Sequence, residues 1–133
     1  MIYYIDTNIL LDMFLDRDNG ISKQLFNKLV ENKSNIYIND ISIINTHYII
    51  SKYSTDENAI KAVKYLQLAC SLISVDSYII EKAVTSKFSD FEDAVQYYCA
   101  KKIDANMIIT QNIKDYKNSK IVIKTAKECL QTL

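Results

Sequence analysis

Residues 1–12 read MIYYIDTNILLD. An apolar, aromatic and β-branched run, MIYYI, has the composition of a buried strand and meets a carboxylate at Asp6. From Thr7 onward the apolar residues fall at Ile9, Leu10, Met13 and Phe14, which is helical spacing. A strand that ends on an aspartate with a helix starting directly after it has two readings. Asp6 caps the helix, or it is one of several carboxylates gathered where strands end and belongs to a metal site.

Working outward, DRDNG (16–20) breaks the first helix, and residues 21–32 predict a second with Ile21, Leu25, Leu29 and Val30 on one face. NIYIN (35–39) reads as a strand, and 40–53 as a helix with Asp40 as its N-cap, although its β-branched content is high. A helix over 54–69 follows, then a strand at SLISV (71–75) and a helix over 77–86 capped by Asp76. Ser89 and Glu92 stand at capping-box spacing before a helix to 102. MIIT (107–110) and IVI (121–123) are the remaining strands, and a last helix starts near 125. Strands alternating with helices predict an α/β fold with a mainly parallel sheet of four to five strands, covered on both faces. Sites in such sheets form beyond the carboxyl ends of the strands, and that is where Asp6 falls.

Composition narrows the function. A chain of 133 residues is one domain by length, with no apolar run near the roughly 18–20 residues of a membrane span and no signal-peptide pattern. The expected location is therefore cytoplasmic. Cys70, Cys99 and Cys129 are odd in number and never in a CxxC arrangement, so they are expected to be reduced and packed in the core. A single histidine, His47, excludes a His-rich zinc centre. Net charge is zero, but residues 1–60 carry eight acids against five bases and residues 61–133 carry eight against eleven. Lys114, Lys117, Lys120, Lys124 and Lys127 concentrate the excess, as a solvated lysine face or as a local nucleic-acid contact.

Other acids are expected at the same edge as Asp6. Asp93 lies on the first turns of the helix after Ser89, with Asp90 three residues earlier on the same face. Asp115 follows the strand MIIT after QNIK. Carboxylates converging there raise one another's pKa unless a cation sits among them. Oxygen ligands without His or Cys select Mg²⁺ or Mn²⁺. The plainer reading of Asp90 and Glu92 is that they serve the helix dipole and cap, and of Asp12 and Asp16 that they staple a loop with Arg17.

YIDTNILLDMFLDR near the N-terminus and DFEDAVQYYCAKKIDANMIITQNIKDY in the second half together resemble the PIN-domain family, nearest its VapC-like toxin subgroup. The likeness spans residues 2 to about 130. It implies a three-layer α/β/α sandwich, Mg²⁺- or Mn²⁺-dependent endoribonuclease activity, and pairing with an antitoxin. By the resemblance, Asp6, Asp93 and Asp115 are the metal-holding acids, with Asp90 a less uniform fourth. Asn8, Thr110 and Asn112 match the polar residues that support them. Many members carry a glutamate on the middle helix where this register places Asn45, so the site has one charge fewer.

The reading is a PIN-type ribonuclease, the toxin of a toxin–antitoxin pair. Lys114, Lys117 and Lys120 are its candidate RNA contacts, a homodimer is possible, and no membrane is involved. Its rivals are a catalytically weak PIN domain that binds RNA or protein without cutting, and a plain α/β fold whose carboxylates accept phosphate.

Overall fold

The computed structural model describes all residues, 1–133. Five strands form one sheet: β1 (Ile2–Ile5), β2 (Asn35–Asn39), β3 (Ser71–Ile73), β4 (Met107–Ile109) and β5 (Val122–Lys124). Their order is β3-β2-β1-β4-β5 and every pairing is parallel. Seven helices connect them: α1 (Thr7–Phe14), α2 (Ile21–Glu31), α3 (Asp40–Tyr53), α4 (Asp56–Ala69), α5 (Ser77–Val84), α6 (Phe91–Lys102) and α7 (Ala126–Gln131). A 3₁₀ turn covers Ile113–Tyr116.

The period-2 alternation of β1 decides which helices lie where. Tyr3 and Ile5 point to one face and pack with Ile9 and Leu10 of α1 and Leu25 and Phe26 of α2. Tyr4 points to the other and packs with Ile79 of α5 and Val95 and Cys99 of α6. A smaller cluster of Ile50, Ala59 and Ala62 joins α3 to α4. All three cysteines are buried and free. No helix is long and apolar enough to cross a membrane.

Several boundaries move, each for a local reason. Asn39, not Asp40, caps α3: its side chain accepts from the Ser42 amide at 2.6 Å, while Asp40 accepts from the Ile41 and Val75 amides. Asp90 caps α6 by accepting from the Asp93 amide at 3.0 Å, so the expected box of Ser89 and Glu92 does not form. A capping box does form at α7, between Thr125 and Glu128. The third strand stops at Ile73 and the fifth runs one residue later than expected. With a single glycine in the chain, the left-handed turns fall on Asp16, Asn19, Lys33 and Asp104 as well as on Gly20, whose φ is +80°. Without glycine at most of them, these left-handed breaks carry little local signal in the sequence.

Candidate active site

The parallel register brings the carboxyl ends of β1 and β4 level. Tyr3 pairs with Met107 and Ile5 with Ile109, and the Asp6 amide extends the ladder by donating to the Ile109 carbonyl at 3.0 Å. Asp6 therefore stands beside Thr110, the first residue past β4. It is the N-cap of α1, accepting from the Asn8 amide at 3.3 Å, and is only 3% exposed. The two opening readings of Asp6 are not exclusive.

A cap needs one acceptor oxygen, but both carboxylate oxygens of Asp6 are held. Gln96 Nε2 donates to Oδ1 at 2.8 Å; the hydroxyls of Thr110 and Tyr116 donate to Oδ2 at 2.8 and 3.0 Å. Gln96, 1% exposed, turns its carbonyl oxygen to the Thr7 amide and the Tyr4 hydroxyl. Tyr4 in turn accepts from Asn39 Nδ2 at 2.8 Å. A buried charge held by four donors and no cation has a fixed position and an uncompensated field. Asn8 supports this arrangement mainly through its neighbours: its side chain bridges the Thr110 hydroxyl and the Gln111 amide. The Asn112 amide donates to Thr110 Oγ1, while its side chain is exposed and caps nothing.

The field falls on Asp93. Its carboxyl is pushed up to about 7, first by burial and then by Asp6, Asp90, Asp115 and Glu92. Glu92 is raised as well, by burial, Asp6 and Asp90. Burial and the neighbouring Asp6 and Asp93 charges keep the Tyr116 phenol protonated far above its usual range, so it remains a donor. Asp93 thus lies within the electrostatic reach of both Asp6 and Asp115. Asp90 is exposed and engaged as a cap, so the plainer expectation for it holds.

The donor set suits a hard divalent cation in its chemistry: oxygen only, anionic, and destabilised by mutual repulsion that a cation would relieve. None of the three salt bridges, Arg17–Asp12, Lys61–Glu57 and Lys102–Asp76, involves these acids. The side chains as arranged do not bring three acids within joint ligating reach. Asp6 is held in place by its four donors.

A cleft of about 420 Å³ opens beside the acids, lined by Thr7, Asn39, Ser42, Asn45, Glu92 and Gln96 among others. Asn45 lines this cleft from α3, and no carboxylate of α3 does. Glu92 borders the same cleft from α6 and was assigned only a capping role from sequence. Gln96 was also missed. Its one signal is a polar residue inside the otherwise apolar and aromatic stretch AVQYYCA. Asp12 behaves as anticipated, pairing with Arg17 at 3.3 Å and accepting from Gln111. Lys114, Lys117 and Lys120 are all exposed, but Lys120 lies in a separate recess with Lys87 and Lys101.

The chain is similar to known proteins over nearly its whole length. The chain is 26% identical over 132 residues to ribonuclease VapC1 of Aquifex aeolicus (strain VF5), covering 94% of this chain and 90% of the relative. Among solved structures, VapBC2 from Rickettsia felis bound to a promoter DNA fragment superposes with a TM-score of 0.73 at 18% identity. That match covers 94% of this chain and 98% of the other. VapC20 from Mycobacterium tuberculosis, described as a sarcin–ricin-loop-cleaving toxin, superposes with a TM-score of 0.64 at 16% identity, covering 80% and 86%. The profile of the PIN domain matches residues 3–114, from within the first strand to the 3₁₀ turn that carries Asp115. The chain belongs to the PIN-domain family.

Proposed function

We propose that this protein is a metal-dependent endoribonuclease and the toxin of a toxin–antitoxin pair, acting in the cytoplasm. The observation that carries the reading is the carboxylate cluster at the sheet edge, in which Asp93 is pushed up to about 7 with no cationic side chain to relieve it. Asp6, Asp93 and Asp115 would hold the Mg²⁺ or Mn²⁺, with Asp90 and Asn45 at its margin. Such an ion, when bound, lowers the pKa of water and offsets charge on the scissile phosphate. Asp6 contributes position, since Gln96, Thr110 and Tyr116 fix both its oxygens before any substrate arrives. Lys114, adjacent to Asp115, stands where it can meet a flanking phosphate.

Ribonuclease VapC1 as a relative and VapBC complexes as structural neighbours support both halves of this reading. Around the cleft, Ile41, Ile44 and Tyr48 of α3 and Phe91 of α6 expose apolar side chains, as a surface awaiting a protein partner does. The test is cleavage of RNA by purified protein with Mg²⁺ or Mn²⁺. Chelator and Asp6→Asn should each abolish it. Asparagine can keep its oxygen toward Gln96 and the Asn8 amide, while the Thr110 and Tyr116 hydroxyls turn to accept from its NH₂, so the fold should survive. Equal cleavage by wild type and Asp6→Asn would defeat the mechanism.

A second reading, a PIN domain that binds without cutting, is favoured by Asn45. Calorimetry of Mn²⁺ binding separates the two. Asn45→Glu should bind the ion more tightly and cleave faster if wild type is an active enzyme with a weak site. Tighter binding with no cleavage by either protein would support the binding module.

A further inference from the structure

A recess of about 290 Å³ lies between the α5–α6 connection, α6 and the segment before β5, and shares no lining residue with the cleft beside Asn45. Three lysines reach it from three elements: Lys87 from the connection, Lys101 from α6, and Lys120 ahead of β5. No carboxylate lines it. Its walls are tied together, because Asn118 Nδ2 donates to the Lys87 carbonyl at 3.1 Å and the Lys120 amide donates to the Tyr97 hydroxyl at 3.2 Å. Three like charges on one hydrogen-bonded frame repel one another, an arrangement that invites an anion. A second recess of about 270 Å³ shares Tyr98 and Lys101 as a wall and adds Tyr78, Lys82 and Lys102, again without a lining acid. Lys102 is paired with Asp76 at 2.8 Å, which leaves four unpaired lysines beside the tyrosines.

This basic surface is joined to the acidic site by packed aromatic rings. Phe88 lies 4.9 Å from the Tyr97 ring and edge-on to Tyr116 at 5.9 Å, and Tyr116 is the residue whose hydroxyl holds Asp6. Along α6, Asp93 and Lys101 are eight residues apart, about 12 Å at 1.5 Å per residue. A polyanion approaching the acids is repelled there, so its affinity must come from elsewhere along the strand.

We propose that the Lys87–Lys101–Lys120 recess is a backbone-phosphate subsite for single-stranded RNA, with the neighbouring tyrosines as stacking surfaces for its bases. The inference deepens the nuclease reading and rests on it for the identity of the strand. Single-stranded RNA fits better than an acidic protein segment because Tyr78 is well exposed and Tyr98 partly so. Unstacked bases use such faces, and side-chain carboxylates do not.

The experiment is fluorescence anisotropy with a labelled single-stranded oligouridylate in EDTA, titrated at several salt concentrations. The recess variant carries Lys87→Gln, Lys101→Gln and Lys120→Gln, all at exposed positions. A control with the same charge change carries Lys23→Gln, Lys28→Gln and Lys64→Gln on α2 and α4. The recess variant should bind at least about tenfold more weakly than the control. Its slope of log affinity against log salt should be shallower by about 2, for three phosphate contacts on a single strand. Equal affinity and slope in the two variants would overturn the proposal, as would wild type that binds no RNA. If the recess variant keeps RNA but loses poly-glutamate, the surface is a protein-docking site and the proposal fails. Binding through the recess by a wild type that never cleaves on adding Mn²⁺ would leave the subsite standing and remove the nuclease reading.

Discussion

Asp6 serves two purposes, and both depend on its donors. Tyr116→Phe removes one of the two hydroxyls on Oδ2, and a hydrogen bond to a buried charge contributes about 1.5–3 kcal/mol. Urea unfolding should show a loss of that size; a loss under 0.5 kcal/mol would mean the phenol does not hold the acid. Asp93 gives a prediction in pH. Its pKa is raised in the folded state, from 3.8 to about 7, so the native protein binds the extra proton between those values and the unfolded chain does not. That contribution is complete below pH 4 and is lost as pH rises to 7. Asp93→Asn, which cannot ionise, should therefore match wild type near pH 4 and exceed it in Tm near pH 8. The side chain is only partly buried, so the gap is on the order of 1 kcal/mol after solvent screening. Mn²⁺ should narrow the gap by favouring the charged carboxylate of the wild type. A gap that is constant with pH would contradict the shift.

Among the elements, the helix caps show where local pattern was sufficient. Asp76 caps α5 as expected, accepting from the Ile79 amide at 2.9 Å. At α3 and α6 two adjacent polar residues compete for the cap: at α3 the buried one takes it, whereas at α6 Ser89 and Asp90 are both exposed and Asp90 takes it. Asn39 is the buried one of its pair, and its amide group also donates to Tyr4. Losing Asn39 thus removes a cap and strands a buried partner, whereas Thr55 is an exposed cap of α4 alone. Thr55→Ala should cost about 1 kcal/mol. Asn39→Ala should cost about 2–3 kcal/mol. Chemical denaturation of the two variants checks the order, and equal losses would place Asn39 outside the Tyr4–Gln96 network.

For the whole molecule, the sheet is the frame on which the site depends. Leu10 sits in the core under β1, and Leu10→Ala should cost about 2–5 kcal/mol by opening a cavity. Cys70 and Cys99 lie in the cores on opposite faces of the sheet, with thiols pushed up to about 12 by burial. Their alkylation at pH 8 should wait for global unfolding, so its rate should follow stability across the variants above. Fast alkylation of folded protein would mean that one layer opens independently.

The sequence by itself determined the strand–helix alternation, the parallel sheet and its helical cover. Tyr3, Tyr4 and Ile5, Leu25 and Leu29, and Ile108 and Ile109 carry hydrophobic periods that only a buried sheet between helices satisfies. It also determined which acids follow strand ends, since Asp6 and Asp115 are set by local order along the chain. Only the tertiary structure decided what holds Asp6. Gln96 and Tyr116 lie 90 and 110 residues away along the chain, and no local spacing shows that they meet one carboxylate. The same holds for Lys87, Lys101 and Lys120, which stand apart in the chain and share one recess. Periodicity reports the face a residue occupies. Sheet order and register decide which faces meet, and hydrogen bonds and fields depend on that meeting.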